Sequence, residues 1–159
     1  MLNSELQAAI EFLNGTPDRL EGLVGGLSEA QLCHKPQPEA FSIKENILHL
    51  RDIEVEGYAR RLRRILSEDT PLLPDIDGTQ LARDRCYNEK PVAPALREFT
   101  ASRRGNVALL RSITESDLAR PAEMEGVGRI ILARLLHLWR EHDAGHLTEL
   151  EELRRLALA

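Results

Sequence analysis

Apolar residues return along this chain every three or four positions, the spacing that lines one face of an α-helix. Leu6, Ile10, Leu13, Leu20, Val24 and Leu27 keep that rhythm through the first segment. Asn14-Gly15-Thr16-Pro17 interrupts it. Thr16 as an N-cap with Pro17 behind it would restart a helix, so a kink or break is predicted there. Gly25-Gly26 ends the segment, and residues 27–38 read as a connector with one short helical turn from Ser28. Ser42-Ile43-Lys44-Glu45 is an S-x-x-E capping box that opens a second helix. Its stripe of Ile43, Ile47, Leu50, Val55, Tyr58, Leu62, Ile65 and Leu66 runs to residue 67. Residues 68–92 carry Pro71, Pro74, Gly78 and Pro91 without a sustained period, and hold at most a short helix around 79–85. Connections this long inside a domain are functional or disordered. A third helix is predicted over 94–112 and a fourth over 129–157, with a connector at 114–127 that begins on a Thr114-x-x-Asp117 cap. No strand-like alternation of useful length is visible. The pattern predicts an all-α four-helix bundle with long connections, one domain over residues 1–159, whose helices need not follow a simple up-down order.

Composition narrows the class. The chain has 159 residues, 42% hydrophobic and 30% charged, with a formal net charge of −5. That balance suits a globular protein and argues against general affinity for phosphate backbones. Arg60, Arg61, Arg63 and Arg64 crowd the end of the second helix, where they complement the helix dipole as a solvated end. No apolar run reaches the roughly 20 residues that cross a bilayer. Met1-Leu2-Asn3-Ser4-Glu5 lacks the basic and apolar regions of a secretory leader, so a cytoplasmic location is expected. Cys33 and Cys86 lie far apart, with no ligand-type spacing partner, and read as reduced thiols.

The chemistry concentrates in histidines. His142 and His146 stand four residues apart in the last apolar stretch, on the face that also carries Leu135, Leu138 and Leu150. Side chains at i and i+4 project together, roughly 5–6 Å apart at their Cβ atoms, so two imidazoles can reach one ion. The spacing alone is weak. A third histidine on an apolar face, His49 in Leu48-His49-Leu50, strengthens it. Zinc and similar divalent ions take neutral imidazole, and three protein ligands with an open position are typical of catalytic sites. A ligating histidine usually passes its other ring N–H to a carboxylate; Asp52, three residues after His49, Asp143 beside His142 and Glu149, three past His146, are in reach, with Asp52 the first candidate. Against this stands a metal-free set of hydrogen-bonded core histidines. His137 is about 140° around the helix from His142 and points elsewhere. His34 reads as a polar loop residue. Asp143-Ala144-Gly145 after His142 excludes an H-E-x-x-H zinc-protease helix, and neither a G-x-S-x-G elbow nor a glycine-rich phosphate loop is present.

Four stretches together resemble a known family. They are Thr16-Pro17-x-Arg19-Leu20, Leu27-Ser28-Glu29-Ala30-Gln31-Leu32, Phe41-Ser42-Ile43-x-x-x-Ile47-Leu48-His49-Leu50 and Glu141-His142-Asp143-x-x-His146-Leu147. In this order they are similar to the DinB/YfiT-like superfamily of four-helix metalloproteins. The chain departs from the pattern at Phe41, where tryptophan is usual. The resemblance implies that His49, His142 and His146 hold one divalent metal, zinc or nickel, with water completing its coordination, and that the protein forms homodimers. It also implies a small-molecule substrate, with transfer of a low-molecular-weight cellular thiol to a small electrophile as the leading expectation and hydrolysis as the alternative. A non-catalytic module remains open, and would need a fourth ligand such as Cys33, His34 or a carboxylate. No catalytic base can be named from the residues alone.

Overall fold

The computed structural model describes residues 4–159; Met1–Asn3, where a leader was sought, lie outside the described residues. In chain order the elements begin with α1 (Ser4–Val24), α2 (Glu29–Cys33) and α3 (Ile43–Asp52). A π-helical turn over Ile53–Tyr58 joins α3 to α4 (Ala59–Ser67) without a break, forming one rod. Then come β1 (Leu72–Leu73), α5 (Gly78–Asp84), a 3-10 turn (Tyr87–Glu89) and α6 (Val92–Ser112). The chain continues through α7 (Glu115–Leu118), β2 (Pro121–Met124) and β3 (Gly128–Ile131) into α8 (Leu132–Leu158). The four predicted helices are therefore α1, the α3–α4 rod, α6 and α8.

Two apolar clusters fill the bundle, one toward each end. Leu6, Ile10 and Leu13 meet Leu62, Ile65, Val107, Leu110 and Trp139 in one. Leu20 meets Ile43, Ile47, Phe99, Leu147 and Leu150 in the other. Followed along the chain, α1 and α8 run from the first cluster to the second, whereas the α3–α4 rod and α6 run from the second to the first. The second and third rods thus point the same way. A chain that leaves one rod and enters the next in the same direction must travel the length of the bundle, and residues 68–91 make that crossover. Both α1 and α3 pack against α6 and α8. This is a departure from up-down order of the kind that the long connections allow.

Between the clusters lies a buried polar layer of Thr16, Glu54, Arg103, Asn106 and Asp143. Arg103, 1% exposed, is its centre. Its guanidinium donates to Glu54 Oε2 at 2.7 and 3.1 Å and stands 2.8 Å from Asp143 Oδ2. It also packs over the rings of Phe99 and Trp139. The indole N–H of Trp139 and the amide of Asn106 donate to the Glu54 carboxylate at 3.2 and 2.8 Å. Arg103 also explains why α1 runs unbroken through Pro17, contrary to the predicted kink or break. Proline has no N–H to give the carbonyl four residues back. Arg103 Nη1 supplies that bond instead, donating to the Leu13 carbonyl at 3.0 Å.

The strands correct the sequence reading. β2 and β3 form an antiparallel hairpin from Pro121↔Ile131 to Met124↔Gly128, and β1 adds in parallel beside β2. At two to four residues each they are too short for a period of two to be read. Gly126 and Gly128, at φ of +77° and +96°, make the hairpin's bend. Because β3 occupies Gly128–Ile131, the last helix begins at Leu132 rather than at 129.

Replacing Arg103 with methionine leaves two buried carboxylates without their counter-charge. The expected cost is about 3–5 kcal/mol of unfolding free energy, read from urea denaturation. A loss below about 1 kcal/mol would show that the polar layer does not depend on this guanidinium.

Candidate metal centre

The site is assembled from two helices. The Ser42 capping box forms as its sequence predicts: Ser42 Oγ accepts from the Glu45 amide at 3.0 Å, and a Glu45 carboxylate oxygen accepts from the Ser42 amide at 2.9 Å. This starts α3 at a defined residue and sets which way His49 points, two turns later. His142 and His146 lie one turn apart on α8, which packs against α3. The π turn that follows Asp52 lies directly beyond His49, and such insertions in helices are frequent at functional sites.

The three sequence-predicted histidines come together. Their ring centroids are 5.3 Å (His49–His142), 4.6 Å (His49–His146) and 4.7 Å (His142–His146) apart. One nitrogen from each lies within 4.8 Å of the others. His49 Nε2 and His142 Nε2 are 3.1 Å apart, near the separation of about 3.3 Å between two nitrogens of a tetrahedral zinc with bonds of about 2.0–2.1 Å. His49 is 9% exposed, whereas the side chains of His142 and His146 keep 20% and 18% exposure, so one side of the cluster reaches solvent.

Neighbouring groups orient two of the rings. His146 Nδ1 donates to Asn46 Oδ1 at 2.7 Å, and the Asn46 amide nitrogen donates to the Ser42 carbonyl at 3.1 Å. That second bond fixes which end of the Asn46 amide faces the ring. His142 Nδ1 faces Asp143 Oδ1 at 3.3 Å, and Asp143 is in turn held by Arg103. With their Nδ1 positions protonated, both rings present Nε2 lone pairs to the shared space. His49 Nδ1 is buried without a hydrogen-bond partner among the described residues.

Burial keeps two of the three rings neutral. Burial, followed by repulsion from His146 and His142, pushes the His49 imidazole down to about 3. Burial and His142 push His146 down to about 4. Burial raises the Asp143 carboxyl, but Arg103 and His142 outweigh it and hold the group below its ordinary value. His49 and His146, unprotonated at neutral pH, and the His142 ring that converges with them fit a divalent cation, which binds the deprotonated form of its ligands.

Asp52 hydrogen-bonds to none of the three histidines. Its carboxylate accepts from Arg85 Nη1 at 2.6 Å, from Arg51 and from the Tyr87 hydroxyl, and so ties α3 to the crossover. Asp143 and Asn46, instead, face the Nδ1 atoms of His142 and His146. Asp143 is one of the carboxylates the sequence offers beside His142, whereas Asn46 is legible only afterwards, three residues before His49 on the same helical face. Gly78 gave no such signal. A Cβ there would lie 2.4 Å from His49 Cε1 and 2.7 Å from His49 Nδ1, so only glycine lets the crossover close over this ring. Phe41 packs 5.5 Å from His49, and the Tyr58 ring lies 5.6 Å from His142 while stacking on Trp139. Cys33 bonds to Glu29 and the Asn88 carbonyl, Cys86 is exposed and His34 lies at the exposed end of α2. Among the described residues none of these joins the cluster, which consists of the three histidines.

Comparison with known proteins places the chain in a family. The family model of the DinB superfamily matches residues 13–150. A protein of Geobacillus kaustophilus named "putative metal-dependent hydrolase" is 27% identical, the match covering 95% of this chain and 85% of that one. A Halalkalibacterium halodurans protein of the same name is 22% identical over 93% of this chain and 85% of its own. Among solved structures, YfiT from Bacillus subtilis superimposes with a TM-score of 0.88, at 22% identity, covering 98% of this chain and 89% of that one. YfiT is described as a probable metal-dependent hydrolase with an unusual four-helix bundle topology, and the likeness extends to the fold. Among the described residues no helix is long and apolar enough to cross a membrane. On the match of its residues 13–150, the chain belongs to the DinB superfamily.

Proposed function

We propose that this protein is a metal-dependent hydrolase of a small molecule, in which His49, His142 and His146 hold one divalent cation, zinc or nickel. The observation that carries the reading is the convergence of three imidazoles on one partly open point, two of them held neutral by burial. Neutral ligands leave the ion's charge uncompensated, and that charge acidifies a bound water or polarises a carbonyl. The protein's own contribution is orientation. Asn46 and Asp143 hold the His146 and His142 rings by their Nδ1 atoms, and Gly78 and Phe41 close around His49. Tyr58 serves as a wall rather than a base. Burial pushes its phenol up, and its hydroxyl donates to the Leu138 carbonyl at 3.2 Å.

A purely structural metal site would need a fourth protein ligand, and the cluster offers three. Thiol transfer to a small electrophile would use the same acidity on a thiol in place of water. It draws its support from the sequence resemblance, whereas the relatives matched along most of their length carry the name hydrolase, which sets the order of the two readings.

Protein purified without chelators is expected to carry close to one divalent ion per chain. His142→Ala should abolish that content while leaving the far-ultraviolet circular dichroism of a helical bundle. Hydrolysis of chromogenic esters, or conjugation of added thiols to an aromatic electrophile, should then scale with metal content and vanish in the variant. Wild-type protein that retains no metal and takes up none on reconstitution would overturn the reading. In a second test, Gly78→Ala should displace the His49 ring and weaken metal affinity by about tenfold or more in a protein that still folds. Unchanged affinity would remove His49 from the ligand set.

A further inference from the structure

We propose that the cleft between α4 and the crossover segment 72–81 is a binding site for a small organic anion. Its ligand would have an apolar body and a carboxylate or phosphate head, and its anchor would be Arg61. The arginine run at the end of the second helix reads in sequence as a solvated helix end. For Arg61 the structure shows otherwise: it is 7% exposed and lines a cleft of about 490 Å³. The volume falls within the range of small-molecule sites.

Arg61 is set apart by its partners. One N–H donates to the Pro74 carbonyl at 3.0 Å, and the guanidinium carbon lies 5.5 Å from the centre of the Tyr58 ring. Both partners are neutral, and no carboxylate pairs with it among the described residues. A guanidinium carries five donors and a permanent charge, and burying such a charge without a counter-ion is costly. The buried Arg103 shows how this fold otherwise meets that cost, with two carboxylates. The acids around the cleft are committed elsewhere or stand at its edge. Glu56 pairs with Arg85, Asp77 caps α5 through the Gln80 amide, and Asp75 is exposed. Arg64 is held by Glu68 and the Leu72 carbonyl, while exposed Arg60 adds a second positive charge at the mouth. Leu73, Ile76 and Leu81 supply apolar walls. A planar oxyanion meets a guanidinium fork through two parallel hydrogen bonds, and a short hydrocarbon body would lie along those walls.

The cleft is separate from the histidine cluster but adjoins it. Tyr58 lies between the two, beneath Arg61 on one side and beside the His142 ring on the other. The inference does not rest on the metal reading, and one variant separates them.

The test is calorimetric titration of the full-length protein with hexanoate, hexyl phosphate, inorganic phosphate and hexanol. Hexanoate or hexyl phosphate should bind, and the preferred one assigns the head as carboxylate or phosphate. Hexanol should bind more weakly by about tenfold or more, the worth of a charge-assisted hydrogen-bond pair. Arg61→Met should reduce binding of the acid by a similar factor, and His142→Ala should leave it unchanged. Should Arg61→Met fail to fold, Gln80→Trp fills the cleft from an exposed position and should also block binding. No binding by either amphipathic acid, equal binding of hexanol, retention in both cleft variants, or loss in His142→Ala would each overturn the proposal.

Discussion

One guanidinium, at the centre of the bundle, joins the parts of this molecule that matter most. Arg103 gives the Leu13 carbonyl the hydrogen bond that Pro17 cannot, so α1 continues as a single helix. It neutralises Glu54, which in turn receives Trp139 and Asn106. It also holds Asp143 ionised, and Asp143 faces the Nδ1 of His142. All four rods meet at this layer, which divides the apolar interior into two clusters. Buried ion pairs contribute little net stability, because desolvating the charges offsets most of their attraction. What the network supplies is definition, since rods carrying these groups can pack in one register only without leaving a buried charge alone.

That definition is transmitted to the histidines. A metal-binding imidazole must offer a lone pair from a known nitrogen, and the tautomer follows from what the other nitrogen touches. Asp143 sets this for His142 and Asn46 sets it for His146, the latter through a chain that runs back to the Ser42 cap of α3. Packing holds His49 instead, between Phe41 and the Cβ-less Gly78. Two helices and the crossover thus each contribute, and burial keeps His49 and His146 neutral where free imidazole would be partly charged.

The rods, their caps and the three histidines were legible in the sequence because each rests on local spacing. Apolar residues three and four apart mark the helices, S-x-x-E marks Ser42, and an i,i+4 pair marks His142 and His146. What escaped depends on distant contacts. The α1 break predicted at Pro17 fails because of a side chain 86 positions away in sequence. Asp52 was a reasonable partner for His49 by spacing, but Arg85 and Tyr87, brought over by the crossover, claim it. Gly78 matters only because the crossover folds against His49. The π turn and the three short strands carry no periodic signature, and the burial of Arg61 is invisible in a run of four arginines.

The proposed function stands on three imidazole nitrogens from α3 and α8 sharing one ion. X-ray absorption at the metal edge of the loaded wild-type protein tests it most directly. Three nitrogen scatterers are expected at about 2.0–2.1 Å, with the outer-shell pattern of imidazole rings and at least one further light ligand. A spectrum dominated by sulfur, or by oxygen with fewer than three imidazoles, would contradict it.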